Sequence, residues 1–271
     1  MHLASIHLYP VKSCRGIAVE SAELDQRGLV GDRRFLVVDA QGKAVTQRTV
    51  PRMALIETVL TASTLVLRTE GVGEVSIPRG SSGEPLRSVD LWSSLGLQAE
   101  DCGVEPAAWL SEVVGFPVRL VRAGPDFHRP VKPTKAAPGD EVAFTDAYPL
   151  LAISQASLDD LNQRLRGAGH DAVPMDRFRP NLVIAGCAPY EEDTWTRVRA
   201  GDAVLRAAGP CARCIMTTTD QRTGERGKEP LRLLASYRRT SSDPSEVNFG
   251  QNLIHEAKRG TLHVGAALQP A

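Results

Sequence analysis

Residues 208–220 read AGPCARCIMTTTD and set Cys211 and Cys214 three positions apart. Thiols at that spacing can clip a metal, cycle as a redox pair, or lend one sulfur to a metal that is otherwise held. A structural zinc takes four ligands, usually two such pairs or one pair with nearby histidines. Here Cys14, Cys102 and Cys187 stand singly and the six histidines are scattered. A thioredoxin-like dithiol opens a helix, whose N-terminus lowers the thiol pKa. Strand-forming residues, IMTTT, follow this pair instead. A single soft thiolate suits a metal whose other ligands come from an organic cofactor. Arg213, next to Cys214, would favour the thiolate electrostatically.

The elements that must position these thiols read as short strands. HLASIHLYPV alternates with period two, RRFLVVDAQGKAVT reads as two strands around Gln41, Gly42 and Lys43, and residues 53–78 supply three more. RGSSGEPL reads as a loop. EPAAWLSEVVG reads as a helix with Pro106 in its first turn and Gly115 as its stop. VRLVRA follows as a strand. Residues 124–140 carry four prolines and read as irregular; their four basic residues, His128 included, would suit a lip over an anion. LLAISQASLDDLNQRLRGAG reads as a strand running into a helix with Leu158, Leu161 and Leu165 on one face and Gly167 at its end. PNLVIAG reads as a buried strand and WTRVRAGDAVLRAAG as a hairpin around Gly201 and Asp202. EPLRLLASYRR reads as a short helix and GTLHVGAALQ as the last strand. The expected class is α+β, mainly β.

Composition excludes several roles. Lys plus Arg and Asp plus Glu both number 32, so the formal net charge is zero, without the basic excess of a nucleic-acid binder. No apolar run approaches the roughly 20 residues that span a membrane, and no signal pattern opens the chain. Five cysteines, an odd number, argue against a disulfide framework. The chain reads as cytoplasmic.

Seven motifs in order, IHLYPVKSCRGI, GLVGDRRFLVVDAQGKAVTQR, EDCG, DAYPLLAISQASLDDLN, RFRPNLVIAG, CARCIMTTTDQRTGERGKEPL and NFGQNL, span nearly the whole chain. Together they resemble the MOSC family and its molybdenum-cofactor oxidoreductases. The resemblance implies a β-barrel-like MOSC core over residues 96–271, a smaller β-rich N-terminal unit over residues 1–95, and a cofactor cleft between them. It implies molybdenum bound by one molybdopterin, with Cys214, the second cysteine of the motif, as protein ligand and catalytic residue.

Around such a cofactor the other matches make chemical sense. Lys12 and Ser13 offer an ammonium and a hydroxyl to a phosphate. Arg33 matches the family's cofactor arginine. Arg179 and Asn181 pair a cation with an amide that can read donors and acceptors. Asp146 matches an acidic neighbour of the pterin. Ala212 and Arg213 present backbone between the cysteines. Tyr148 and Asn252 complete the set at positions where this chain departs from its relatives, as do Ala147 and Ala212. The implied reaction is removal of oxygen from nitrogen in small N-hydroxylated substrates. Electrons would come from an external donor: a ferredoxin, a flavodoxin or a dedicated reductase. Asp146, Tyr148 and His128 are the candidate proton donors. A different class stays open, a carrier or sulfur-handling module like the C-terminal domain of molybdenum-cofactor sulfurases.

Overall fold

The computed structural model describes residues 1–80, 83–132, 135–240 and 243–271. Ser81 and Ser82 of the expected RGSSGEPL loop, and Pro133 and Thr134 of the proline-rich stretch, lie outside the described residues. Strands dominate, as the period-two alternation requires, and only three α-helices occur among the described residues.

The largest sheet has eight strands. In spatial order they are Leu268–Pro270, Arg197–Ala200, Ala203–Ala212, Asn248–His255, Leu150–Ser154, Leu182–Ala185, His2–Leu8 and Ile17–Val19. The chain's first strand therefore joins the sheet built mostly by its C-terminal half. All its neighbours pair antiparallel except Leu150–Ser154 with Leu182–Ala185. That parallel pair needs a crossover, and helix Gln155–Gly167 supplies it. Ser154 caps the helix, its Oγ accepting from the Ser157 N–H at 3.0 Å, and Leu161 and Leu165 are fully buried beneath it.

A four-stranded sheet runs Phe35–Asp39, Val118–Arg122, Ser94–Asp101, Leu86–Leu91, and two three-stranded sheets complete the fold. Helix Val104–Val114 ends on Gly115, whose φ of 90° is the left-handed cap that glycine favours, and buries Trp109, Leu110 and Val113 against the Glu57–Leu60, Thr64–Thr69, Gly73–Pro78 sheet. No helix among the described residues is long and apolar enough to cross a membrane.

Four local expectations change. IMTTT is a 3₁₀ turn, Ile215–Thr218, not a strand. The Thr217 and Thr218 hydroxyls donate back to the carbonyls of Cys214 and Ile215 at 3.1 and 2.8 Å, and such local bonding competes with a sheet ladder. GTLHVGAALQ splits at Gly265 (φ 85°) into Gly260–His263 and Leu268–Pro270, which belong to different sheets. The segment after Gly42 makes isolated bridges, Val38 with Ala44 and Lys43 with Asp90, in place of a second strand. Residues 86–101, left without an element by the sequence, form a hairpin turning at Trp92. Within residues 124–132, irregular as expected, Phe127, Arg129 and Val131 are buried.

Candidate functional site

All eleven residues that the sequence assigned to a cofactor site line one cleft. Strand His2–Leu8 runs into a turn that delivers Lys12 and Ser13. The Lys12 N–H bonds the Phe35 carbonyl at 2.9 Å, and Ser13 takes a φ of 71°. Arg33 (φ 46°) and Arg179 (φ 55°) arrive in the same left-handed region, and Trp92 (φ 56°) bonds Asp146 from the rim. Four of the five non-glycine residues with positive φ among those described thus belong to the cleft or its edge. Such conformations cost about 1 kcal/mol or more each and persist where surroundings over-determine them.

The cleft is strongly basic. Lys12, Arg33, Arg48, Arg177, Arg179 and Arg213 line it against one acid, Asp146. In a chain of zero net charge this concentration favours an anion. Two carboxylates support the cations from behind. Asp32 accepts from Arg33 Nη1 at 2.8 and 3.0 Å, and Asp220 accepts from Arg177 Nη2 at 2.8 Å. The guanidiniums of Arg33 and Arg179 both stack on the buried Tyr9 ring, at 4.3 and 4.2 Å, and the Tyr9 hydroxyl donates to the Pro180 carbonyl. Burial pushes Tyr9 up to about 12, against the two arginines, so it stays neutral.

Lys12 is almost wholly buried. Its ammonium donates to the Phe144 carbonyl at 2.8 Å and pairs with Asp146. Burial pulls its pKa down to about 8, against the pull of Asp146. The Asp146 carboxylate is 57% exposed. Partial loss of water raises its pKa, but the Lys12 ammonium and its hydrogen bond, Arg48 and the Trp92 indole together hold it well below the usual carboxylate range. Asp146 is therefore ionised at neutral pH and accepts hydrogen bonds, from Lys12 and Trp92, rather than giving a proton.

Asn181 lines the cleft and is also tied into the protein through both ends of its amide. Its Oδ1 accepts from Arg33 Nη1 at 3.0 Å and from the Leu151 N–H at 3.2 Å, and its Nδ2 donates to the His7 carbonyl at 3.1 Å. It orients Arg33. Asn252 donates to the Pro210 carbonyl at 3.1 Å, tying its strand to the one that leads to the cysteines. That strand is bulged between Ala207 and Gly209 and between Pro210 and Ala212, which re-aims the chain at the cleft. Tyr148 is half-buried and packs beside Val131, Val142 and Ile254.

Cys211 and Cys214 are both free and both line the cleft. The Arg213 guanidinium turns to Cys211, with Nη1 2.9 Å from its Sγ, and Nη2 donates to the Phe178 carbonyl. The expected help from Arg213 thus reaches the first thiol. Among the described residues no group of three or more His, Cys, Asp or Glu side chains gathers to hold a metal unaided. Burial pushes the Cys14 and Cys102 thiols up to about 12, so neither is a nucleophile.

Six buried atoms on the cleft wall have no partner within the described residues: Ser13 Oγ, Thr145 Oγ1, Arg48 Nε, Arg177 Nε, Arg179 Nη2 and Arg213 Nε. Buried polar atoms are nearly always satisfied, so this cluster marks a surface built for a polar ligand.

Sequence reasoning missed Thr145 and Arg177 on the wall, and Arg48 and Trp92 at the rim. Arg48 and Arg177 sit inside or beside quoted motifs, but only packing turns them to the cleft. His128 lies elsewhere, its Nδ1 2.7 Å from Glu141 on a separate pocket. Its neighbour Arg129 is a buried strut, not a lip. It donates to Ser94 Oγ and to the carbonyls of Ala143, Thr145 and Asp146 at 2.7 to 3.0 Å, fixing the segment that presents Asp146 and holds Lys12.

Two family models match this chain: the MOSC N-terminal beta barrel domain over residues 1–117 and the MOSC domain over residues 139–269. Mitochondrial amidoxime-reducing component 1 is 37% identical in Homo sapiens, over 97% of this chain and 81% of that protein. The Mus musculus protein of the same name is 38% identical, over 97% and 80%. Molybdenum cofactor sulfurase of Danio rerio is 33% identical over 96% of this chain, which spans only 33% of that longer protein.

Proposed function

This chain belongs to the MOSC family, and from that premise we propose that its cleft holds one molybdenum–molybdopterin cofactor and that the protein reduces small N-hydroxylated compounds. Amidoximes and hydroxylamines are the substrate class, and a separate ferredoxin, flavodoxin or reductase is the donor. One observation carries this reading: Cys214 shares a cleft with Lys12, Ser13, Arg33 and Arg179, on a wall where buried donors are unpartnered. A phosphorylated pterin is rich in acceptors and carries negative charge, so cationic and hydroxyl donors fit it.

In this reading Lys12, Ser13, Arg33 and Arg179 grip the phosphate and pterin, and Cys214 supplies the sulfur ligand. Ala212 and Arg213 border the group with backbone. When bound, the cofactor supplies the two-electron Mo(IV)/Mo(VI) chemistry that removes oxygen from nitrogen. The chain's own work is positioning. Asp146 and the Phe144 carbonyl aim the Lys12 ammonium. Asp32 and Asn181 aim Arg33. The Tyr9 ring lies against both arginines. The proposed division at residue 95 fits the same picture, with Lys12, Ser13 and Arg33 from one part and the remaining grip residues from the other.

A second reading, cofactor or sulfur carriage without reduction, draws on the 2.9 Å contact of Arg213 with Cys211 Sγ, which would steady an anionic sulfur there. Purification from a molybdopterin-making host, followed by molybdenum per chain and benzamidoxime turnover with reduced viologen, separates the two. Stoichiometric molybdenum with turnover is the expected result. Molybdenum without turnover favours carriage, and protein without molybdenum overturns both.

A further inference from the structure

Arg48 differs from the other cations of the cleft. Lys12, Arg33 and Arg177 each pair with a carboxylate, Arg213 bonds Cys211 and the Phe178 carbonyl, and Arg179 reaches Gln221 Oε1 at 3.5 Å. The Arg48 guanidinium makes no hydrogen bond to any described residue. Its nearest carboxylate oxygen, Asp146 Oδ2, is 4.0 Å away, beyond hydrogen-bond range, and that carboxylate already accepts from Lys12 and Trp92.

Yet Arg48 is held in place. Its guanidinium lies 3.8 Å from the centre of the Trp92 ring. The indole is fixed in turn by its Nε1 bond to Asp146 at 3.1 Å, on a backbone kept at a φ of 56°. Behind, Arg226 Nη1 grips the Arg48 carbonyl at 3.1 Å, and Nη2 grips the Gln47 carbonyl. A guanidinium that makes no hydrogen bond to a described residue and lies over a fixed ring is a pre-organised fork for a carboxylate or phosphate, with little ordering entropy left to lose.

Position says which anion it meets. Lys12, Ser13, Arg179 and Asn181 form the buried floor. Arg48 is 35% exposed, and it shares the rim with Trp92 and Asp146, which are also exposed. A group bound on the floor already has its donors there; the rim is reached by what arrives from solvent.

We propose that Arg48, seated on Trp92, is a specificity residue that reads an anionic group, carboxylate or phosphate, on the incoming substrate, so that the protein prefers anionic N-hydroxylated compounds over neutral ones. The inference rests on the reductase reading for its substrate class, but binding tests it separately.

The probes are 4-carboxybenzamidoxime and neutral benzamidoxime for turnover, and 4-carboxybenzamidine, which has no N–O bond to reduce, for binding. In the wild type the carboxylated substrate has the lower KM. In Arg48→Gln the ratio of its KM to that of benzamidoxime rises about tenfold, the order of one charge-assisted hydrogen bond. Arg48→Lys restores part of the difference, and molybdenum per chain stays at the wild-type level in both variants. Binding of 4-carboxybenzamidine, followed by calorimetry or by Trp92 fluorescence, weakens by the same factor. Equal changes for the two substrates overturn the proposal, as does a fall in molybdenum content, which would place Arg48 on the cofactor. If no turnover is found at all, the reductase reading fails, and the binding arm still decides whether Arg48 reads a carboxylate. A 4-methylphosphonate analogue of the amidine distinguishes a phosphate-shaped preference from a carboxylate one.

Discussion

Replacing Lys12 by methionine separates holding the fold from holding a ligand. The Lys12 side chain is 8% exposed, and its pKa falls from the ordinary 10.5 to about 8, chiefly through burial and in spite of Asp146. A lysine that loses affinity for its proton on folding opposes folding wherever it stays charged. That displacement corresponds to about 3 kcal/mol at pH below 8, an order-of-magnitude figure. Methionine keeps the apolar stem and removes the charge. It also leaves the Phe144 carbonyl short of a donor, which costs about 1–2 kcal/mol. The cofactor-free variant should therefore melt between the wild-type temperature and about 6 °C above it, at roughly 2–4 °C per kcal/mol for a chain of this size. The sign with pH follows. From about 8 towards 10.5 the native wild type releases the proton before the unfolded chain does, so wild-type stability climbs and the gap to the variant closes. Loss of the ammonium should meanwhile weaken cofactor retention about thirtyfold, as for truncation of one member of a buried charge-assisted contact. Thermal melts from pH 6 to 10.5, with molybdenum per chain, read both arms. A melting temperature more than about 5 °C below wild type, with molybdenum intact, would refute the reasoning and make Lys12 a structural residue.

Three further outcomes are expected, besides the shift in substrate preference on replacing Arg48. Cys214→Ser should abolish benzamidoxime reduction while Cys211→Ser keeps most of it, and the reverse order would reassign the ligand. Arg129→Met strips donors from three carbonyls under the 143–146 segment; it should cost about 3–5 kcal/mol, lower the melting temperature by about 10 °C and reduce molybdenum per chain, with an unchanged melt counting against the strut. Gly16→Ala would set a Cβ 2.4 Å from Tyr9 Cε1. The ring cannot retreat from two stacked arginines and its bond to Pro180, so about 1–3 kcal/mol of overpacking should appear together with lower molybdenum content, and full content would show that Tyr9 yields without disturbing Arg33 and Arg179.

What the sequence disclosed follows from the range of the forces involved. Alternation in His2–Leu8, the Pro106 and Gly115 signals of Val104–Val114 and the leucine spacing of Gln155–Gly167 act within a few residues, and each element stands where that spacing puts it. The hairpin Leu86–Leu91 and Ser94–Asp101 escaped because Leu86, Trp92 and Leu95 are exposed and break the alternation that marks a half-buried strand. The threonines after Cys214 misled because hydroxyls that bond back locally outweigh β-branching there. Lys12, Arg33, Arg179 and Cys214 were legible because each stands within a recognisable motif. Arg129 and Trp92 were not, since their roles come from partners 14 or more positions away in the chain, Thr145 and Asp146 among them. Arg213 shows the limit even inside a motif: adjacency to Cys214 gave no hint that its guanidinium would bond the sulfur two residues earlier.

The opposed signs expected for Lys12 and Arg129 express how the site is built. A protein optimised for stability alone would not gather six cations around one acid, nor keep Ser13, Arg33, Trp92 and Arg179 at positive φ. Each feature is unfavourable locally, and each is sustained by neutral or acidic support placed behind the wall: Asp32 on Arg33, Asp220 on Arg177, the Gln47–Gln221 amide pair on Ser13 and Arg179. Those supports contact cations from the protein side and leave donors facing the cleft. An anion entering there relieves repulsion the fold already bears, so binding should stabilise this protein more than its contact area alone would give. Support and grip thus form separate layers. Substitutions in the supporting layer should lower both melting temperature and ligand retention, whereas substitutions of the gripping cations should lower retention alone.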